Sequence, residues 1–201
     1  MKLKKGSIFI IIGLLLLVAA PLLTCFNLYD QFRGERSVDN IMDKMILKNR
    51  EHRLQEGEIP DYILNPDMEM PVETIDGRDF IGTLEIPSLN LNLPIISQWS
   101  YGNLRVAPCR YDGSAYKNDM ILAAHNYPSH FGNLKYLKEG EHVIFTDADG
   151  NKFTYTAVVR ETLMPTAVNE MLSKEEDDWD LTLFTCTVGG RSRVVVRCVL
   201  W

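Results

Sequence analysis

The chain has 201 residues, of which 46% are hydrophobic, and its formal net charge at pH 7 is −6. This length accommodates a membrane anchor and one domain of about 120 to 150 residues, which excludes a second catalytic domain. Because the basic residues form no cluster beyond the N-terminus, the charge distribution also excludes a nucleic-acid partner, which needs a positive surface.

An apolar segment near the N-terminus predicts a membrane anchor. The residues from Ile8 to Phe26 carry no charge, and their number is close to the roughly 20 that cross a bilayer. Lysines precede the segment and acidic residues follow it, which predicts a cytoplasmic N-terminus and an extracellular C-terminal domain. The segment is longer than the apolar core of a cleaved signal peptide, about 7 to 15 residues, and no small-x-small site follows it. We therefore expect a cytoplasmic tail at 1–6 and a single-pass transmembrane anchor at 7–27.

The next part of the chain, residues 28–78, is interpreted as a helical stalk and linker. Ser37 is a candidate N-cap and Gly57 a candidate stop for an amphipathic helix. Its apolar residues recur at helical spacing, namely at Val38, Ile41, Met42, Met45 and Ile46. This helix is expected to pack on the following domain or to act as a stalk. Residues 59–71 contain three prolines and no periodicity, which predicts an extended loop that serves as a linker or wrapping segment.

The sequence pattern of residues 79–201 is typical of an all-β domain. Short apolar or alternating segments separated by turn residues predict a barrel or a sandwich. The predicted strands are Phe80–Ile86, Leu91–Ser97, one between Leu104 and Tyr111, Met120–Ala124, His142–Thr146, Lys152–Thr162, Leu181–Thr185 and Val194–Leu200. Two short helices are expected between them, at Phe131–Leu137 and at Val168–Glu176.

Three residues at strand ends predict a reaction centre. Cys186 follows one apolar strand, His125 follows another, and an arginine leads into the last strand. A thiolate attacks carbonyl groups, and a guanidinium can stabilise the resulting negative charge. An ordinary thiol is mostly protonated at neutral pH, so it needs a base or a cation nearby. Arg193 and Arg191 are both candidates for the arginine.

These motifs together resemble the sortase family of Gram-positive bacteria. The Thr-Leu-Phe-Thr-Cys run ending at Cys186, the Ala-Ala-His-Asn run around His125, and an arginine ahead of the last strand occur in the order typical of that family. The resemblance implies an eight-stranded sortase-type β-barrel with short helices, preceded by the transmembrane helix and the amphipathic helix. The His-Asn pair is similar to class B, whereas Thr-Cys-Thr and the segment Arg193–Arg197 are similar to class C, so the subclass stays open.

The resemblance also implies an activity. Sortases are cysteine transpeptidases that cleave a C-terminal sorting signal resembling Leu-Pro-x-Thr-Gly on surface proteins and form a thioacyl-enzyme. They then transfer the protein to an amine of a peptidoglycan precursor or of a pilus subunit. Cys186 would be the nucleophile, His125 the acid and base, Arg193 the oxyanion donor in preference to Arg191, and Thr185 a substrate contact. Pilus-building sortases carry a lid ahead of the barrel, so a lid at 59–71 is the alternative to a wrapping segment. The alternative function is a non-catalytic, surface-anchored β-barrel that binds peptide or wall material.

We expect no cofactor and no metal. The segment Asp147–Asn151 resembles the opening of a calcium loop, but Val158 stands where an EF-hand needs glutamate. A hairpin turn at Asp149-Gly150 is therefore the expectation, and the acidic run at 175–178 is interpreted as a solvated loop. Cys109 and Cys198 are expected to be two buried thiols, with a disulfide between them as the alternative.

Overall fold

The computed structural model describes residues 5–52, 59–172 and 179–201. Gly57, the acidic run at 175–178 and residues 1–4 of the expected tail lie outside the described residues. The chain forms two compact units, Met1–Arg33 and Gly34–Trp201.

In its described residues, the first unit is an apolar helix. Helix α1 (Lys5–His52) includes a segment, Phe9–Ile46, that is long and apolar enough to cross a membrane. Large apolar side chains from Phe9 to Phe32 are exposed on it, as expected for a helix surrounded by lipid. The expected start of a second helix at Ser37 is wrong, because α1 passes through this position. The sequence between Phe26 and Ser37 has no proline and only one glycine, so nothing there breaks the backbone hydrogen-bond ladder.

In the second unit, the C-terminal part of α1 packs on the β-domain. Val38, Ile41 and Met45 are buried, with exposed fractions of 5%, 4% and 1%. Val38 contacts the core inside the barrel, whereas Ile41 and Met45 join a second apolar cluster on the outer face of the sheet. The predicted amphipathic pattern is confirmed in this part of the helix, and its apolar stripe covers the domain.

Eight strands close into a barrel, as the resemblance implied. Their order within the described residues is β2-β3-β4-β5-β8-β9-β7-β6, and pairing between β6 and β2 closes the barrel, while the short β1 extends the edge of β2. The strands are β1 (Glu73–Ile75), β2 (Arg78–Ile86), β3 (Leu91–Ile96), β4 (Cys109–Asp112), β5 (Met120–Ala124), β6 (His142–Asp147), β7 (Lys152–Leu163), β8 (Leu181–Cys186) and β9 (Arg193–Leu200). The short helices are α2 (Asp61–Leu64), α3 (Tyr101–Leu104) and α4 (Val168–Leu172), with 3-10 turns at Pro87–Leu89, Ala115–Lys117 and Leu134–Tyr136.

Strand alternation gives this sheet an inner and an outer face. On β5, the side chains of Met120, Leu122 and Ala124 belong to the core inside the barrel, whereas Ala123 belongs to the outer cluster. Successive strand residues point to opposite faces. A residue that follows Ala124 in extended conformation therefore faces outward, away from the packed interior.

Residues 59–71 wrap the end of the barrel that lies away from His125. The expectation of a fully extended loop is wrong here, because α2 forms within the segment. Tyr62 of α2 stacks on Tyr116, with ring centroids 4.5 Å apart and planes 10° apart. Tyr116 precedes the start of β5, whereas His125 follows the end of that strand. This contact places Tyr62 near the start of β5, away from His125, and favours the wrapping interpretation over a lid.

Cys109 and Cys198 are both free and buried. Cys198 lies inside the barrel and Cys109 in the outer cluster, so the sheet separates them. Burial raises the pKa of both thiols to about 12. The expectation of two buried thiols acting as small apolar groups is confirmed.

Asp147 organises the hairpin between β6 and β7. Its Oδ1 accepts hydrogen bonds from the backbone N–H groups of Asp149 at 3.0 Å and Asn151 at 2.8 Å. Its Oδ2 accepts from the Tyr116 hydroxyl at 2.7 Å and from Asn151 Nδ2 at 2.8 Å. Gly150 has a φ of +92°, which favours glycine at this turn position. The predicted hairpin turn is confirmed.

Candidate active site

The strand register places the three predicted catalytic residues in one row. β5 and β8 are parallel, and their last paired residues are Ala124 and Thr185. His125 and Cys186 follow directly after this pair. On the other side of β8, Cys186 is paired with Arg193 of the antiparallel β9. His125 and Cys186, which are 61 residues apart in the sequence, are thus brought to neighbouring strand ends.

The row lies on the outer face of the sheet. Leu181 and Leu183 of β8 point into the barrel, so alternation sends Cys186 outward together with Phe184, which packs against the outer cluster. Cys186 is a free, half-buried thiol. A nucleophile in this position is held by a rigid strand and remains accessible to a substrate.

A compact loop holds His125. The backbone carbonyl of His125 accepts a hydrogen bond from the Phe131 N–H at 3.1 Å, and the Tyr127 carbonyl accepts from the Gly132 N–H at 2.9 Å. The His125 ring stacks on the Tyr127 ring, with centroids 4.9 Å apart and planes 30° apart. A Cβ at Gly132 would lie 2.4 Å from the Asn126 carbonyl oxygen, so only glycine fits this close approach.

A tight turn joins Cys186 to the arginines. Thr187 N–H donates to the Ser192 carbonyl at 2.9 Å, and Gly190 N–H donates to the Thr187 carbonyl at 2.8 Å. Gly189 and Gly190 have φ values of +82° and +70°. Residues other than glycine rarely adopt this left-handed region, because their Cβ clashes with the backbone. The turn therefore depends on its two glycines.

The two arginine candidates occupy different places. Arg193 is the first residue of β9, one residue earlier than the predicted strand start, and it lies opposite Cys186. Its Nη1 donates to the Gly190 carbonyl at 3.2 Å and to the Ser192 carbonyl at 3.1 Å. Arg191 is exposed in the turn. The register thus brings Arg193 beside the thiol, and its role in the oxyanion site stays a prediction.

Thr185 ties together the two strands that carry His125 and Cys186. It is 3% exposed, and its hydroxyl donates to the Ala124 carbonyl at 2.8 Å. This bond stabilises the parallel pairing next to the predicted catalytic residues. The predicted contact of Thr185 with a substrate stays a prediction.

Sequence analysis missed an aromatic surface next to Cys186. Phe184, two residues before Cys186 on the same face, contacts Tyr111 edge to face at a centroid distance of 5.4 Å. Tyr111 in turn contacts Trp99 at 5.7 Å, and Trp99 remains 39% exposed. Alternation along β8 was a signal for Phe184. The other two rings reach this surface only through strand pairing.

Comparison with known proteins supports the same assignment. The family model of the Sortase domain matches residues 84–201. The chain belongs to the sortase family. It is also similar to Sortase A of Bacillus anthracis, with 25% identity over 192 residues that cover 91% of this chain and 89% of that protein.

Solved structures of sortases share the fold. Sortase C1 of Streptococcus suis is 26% identical, with a TM-score of 0.52 over 61% of this chain and 73% of that one. Sortase C-1 of Streptococcus pneumoniae is 18% identical, with a TM-score of 0.60 over 79% of this chain and 98% of that one. Because a sortase A and sortases C are all among these relatives, they assign no subclass to this sortase.

Membership of the family defines the class of enzyme. Sortases are cysteine transpeptidases, which cleave a peptide bond and transfer the acyl group, and this chain is a sortase-type enzyme of that class. This assignment takes precedence over the alternative of a non-catalytic binding barrel.

Proposed function

We propose that this sortase is a membrane-anchored transpeptidase that cleaves a Leu-Pro-x-Thr-Gly-like C-terminal sorting signal and transfers the carrier protein to an amine. The amine belongs to a peptidoglycan precursor or to a pilus subunit. The single observation that carries the proposal is the row formed by His125, Cys186 and Arg193 on three adjacent strands. A nucleophile between a proton carrier and a cation is the arrangement that acyl transfer requires.

In the first half of the reaction, the Cys186 thiolate attacks the scissile carbonyl carbon and a C–S bond forms. The carbonyl oxygen becomes an oxyanion, which the Arg193 guanidinium and a backbone N–H stabilise. The oxyanion then collapses, the C–N bond breaks, and His125 donates its proton to the departing amine. The products of this half are a thioester on Cys186 and a released C-terminal peptide.

In the second half, the incoming amine attacks the thioester carbonyl and passes a proton to His125. The C–S bond breaks, a new amide forms, and the thiolate of Cys186 is restored. His125 ends in its initial protonation state, so the cycle needs no cofactor, and no metal takes part in the proposed steps.

The domain assignment follows the same proposal. Residues 1–6 form a cytoplasmic tail, 7–27 the anchor, 28–78 the stalk and linker, and 79–201 the extracellular catalytic domain. The apolar helix with lysines on its N-terminal side supports this topology. We expect the full chain to stay in the membrane fraction at high salt, because apolar burial holds a spanning helix and salt does not weaken it. Native protein in the culture medium, beginning near residue 25, would instead establish a cleaved signal peptide.

Mass spectrometry of the thioacyl intermediate tests the chemistry. The full chain in detergent micelles is mixed with an internally quenched Leu-Pro-Glu-Thr-Gly peptide and digested after rapid acid quenching. We expect the acyl adduct on Cys186, and no cleavage of the peptide by Cys186→Ala. The matched control variants Cys109→Ala and Cys198→Ala remove buried thiols and should retain turnover, with any loss appearing as lower thermal stability. Turnover by Cys186→Ala would refute the assignment.

A further inference from the structure

Arg197 is a buried arginine on the same sheet face as the catalytic row. It lies four residues after Arg193 on β9, so both side chains point outward. The spacing corresponds to roughly 13 Å along the strand. Arg197 is only 4% exposed, and a guanidinium is costly to bury unless its donors are satisfied.

Four hydrogen bonds engage all three nitrogens of this guanidinium and connect three elements to β9. Arg197 Nε donates to Glu161 Oε1 of β7 at 3.0 Å, and Nη1 donates to Thr182 Oγ1 of β8 at 3.1 Å. The remaining two bonds run to α4, from Nη1 to the Met171 carbonyl at 3.0 Å and from Nη2 to the Glu170 carbonyl at 2.7 Å. Arg197 therefore fastens α4 to the outer face of the sheet.

The short α4 depends on such a contact. It has five residues, and a helix of this length is not stable by itself in water. Carbonyls in the last turn of a helix have no partner within the helix, and a cation that binds them acts as a C-terminal cap. Among its described side chains, Met171 is the buried one. One apolar side chain and one guanidinium thus hold α4 in place.

The connection that contains α4 borders the candidate active site. It leaves β7 at Leu163, which is paired with Arg193, and it enters β8 at Leu181, which is paired with Cys198. Its described residues 164–172 begin at the level of the catalytic row, and α4 contacts Arg197 four residues further along β9. Arg193 and Arg197 lie on the same face as Cys186, so the described part of the connection, residues 164–172, covers part of that face, and we call it the wall.

We propose that Arg197 is a positioning residue that fixes this wall and so shapes the groove for the extended peptide substrate. The inference rests on the proposed function, since it concerns the substrate of the same site. Arg197 touches no reacting atom in this scheme, because the catalytic row lies roughly 13 Å away. Loss of Arg197 should therefore weaken peptide binding far more than it slows chemistry.

The test combines hydrogen exchange with steady-state kinetics on the full chain in detergent micelles. For Arg197→Met we expect amide exchange in residues 164–172 to be at least about 10-fold faster without substrate. KM for the Leu-Pro-Glu-Thr-Gly peptide should rise at least about 10-fold, while kcat stays within about 3-fold. Arg197→Lys should give a smaller shift in the same direction, because an ammonium reaches fewer of the four acceptors.

Arg160→Met is the matched control. Arg160 of β7 also donates to two backbone carbonyls, those of Lys135 and Leu137, which belong to a different segment. This variant should leave both exchange in 164–172 and KM close to those of the parent enzyme.

Three results would overturn the inference. Unchanged exchange in 164–172 would show that Arg197 does not hold α4. A fall in kcat with unchanged KM would show that it acts in the chemical step. If Arg197→Met does not fold, Arg197→Lys replaces it in the test, and exchange and KM equal to those of the parent enzyme would overturn the inference. Faster exchange together with a parent enzyme that does not cleave the peptide would instead refute the proposed function and leave the role of Arg197 in holding α4 intact.

Discussion

His130 makes the stability of this protein depend on pH. The side chain is fully buried next to Tyr127, and within the described part of the chain neither ring nitrogen makes a hydrogen bond of good geometry. Burial first, and repulsion from nearby His125 second, lower the pKa of His130 from 6.5 to about 4, and the weaker effect of the Gly34 backbone acts in the opposite direction. Between pH 4 and 6.5, His130 therefore stays neutral in the folded protein and is protonated in the unfolded chain.

The sign and size of the effect follow from this difference. The stability due to neutral His130 is complete above pH 6.5 and is lost as the pH falls toward 4, since the unfolded state binds the proton first. Each pH unit in this interval removes about 1.4 kcal/mol from the free energy of unfolding. We expect a loss of about 2 kcal/mol at pH 5 and roughly 3 kcal/mol in all.

Urea denaturation between pH 5 and 7.5, followed by tryptophan fluorescence in detergent micelles, measures this loss. His130→Leu should abolish most of the slope and should cost little at pH 7.5, because it replaces a buried ring without hydrogen bonds of good geometry by an apolar group. His142→Gln, at an exposed position on β6, is the matched control and should keep the slope of the parent. A His130→Leu variant with the same slope as the parent would refute the reasoning.

Three further predictions concern the site. Arg193→Ala should lower kcat/KM at least about 100-fold, with little rescue by Arg193→Lys, whereas Arg191→Ala should stay within a few-fold. The reverse ranking would place the oxyanion donor in the turn. Gly132→Ala should lower both the melting temperature and kcat, because its Cβ would clash with the Asn126 carbonyl in the loop after His125. Gly102→Ala, whose nearest contact would be an ordinary 3.8 Å, should do neither. Iodoacetamide at pH 8 should modify Cys186 and spare Cys109 and Cys198, whose pKa values are about 12. Peptide mapping that finds Cys109 or Cys198 modified in the folded protein would contradict the described burial.

Local patterns were sufficient for much of the fold and for the candidate residues. The uncharged run from Ile8 to Phe26 predicted the apolar helix, because length and composition alone identify a segment that can cross a membrane. Alternation of apolar residues predicted most strands, and the motifs that end at Cys186 and His125 predicted the family. The two wrong expectations have different causes. At Ser37 a weak capping signal lies in a sequence that favours continuation of the helix. In residues 59–71 the sequence shows no helical period, and α2 packs through Tyr62 against the distant Tyr116.

The sequence by itself determined which residues carry reactive groups and most of the segments that become strands, because side-chain chemistry and alternation are properties of neighbouring residues. Only the tertiary structure decided which strands are neighbours. Pairing β5 with the distant β8 brings His125 beside Cys186, and the antiparallel β9 adds Arg193 to the row. The same pairing gathers Arg197, Glu161 and Thr182 under α4. Such contacts depend on closing the barrel around a shared core, a non-local gain in burial that no short segment encodes.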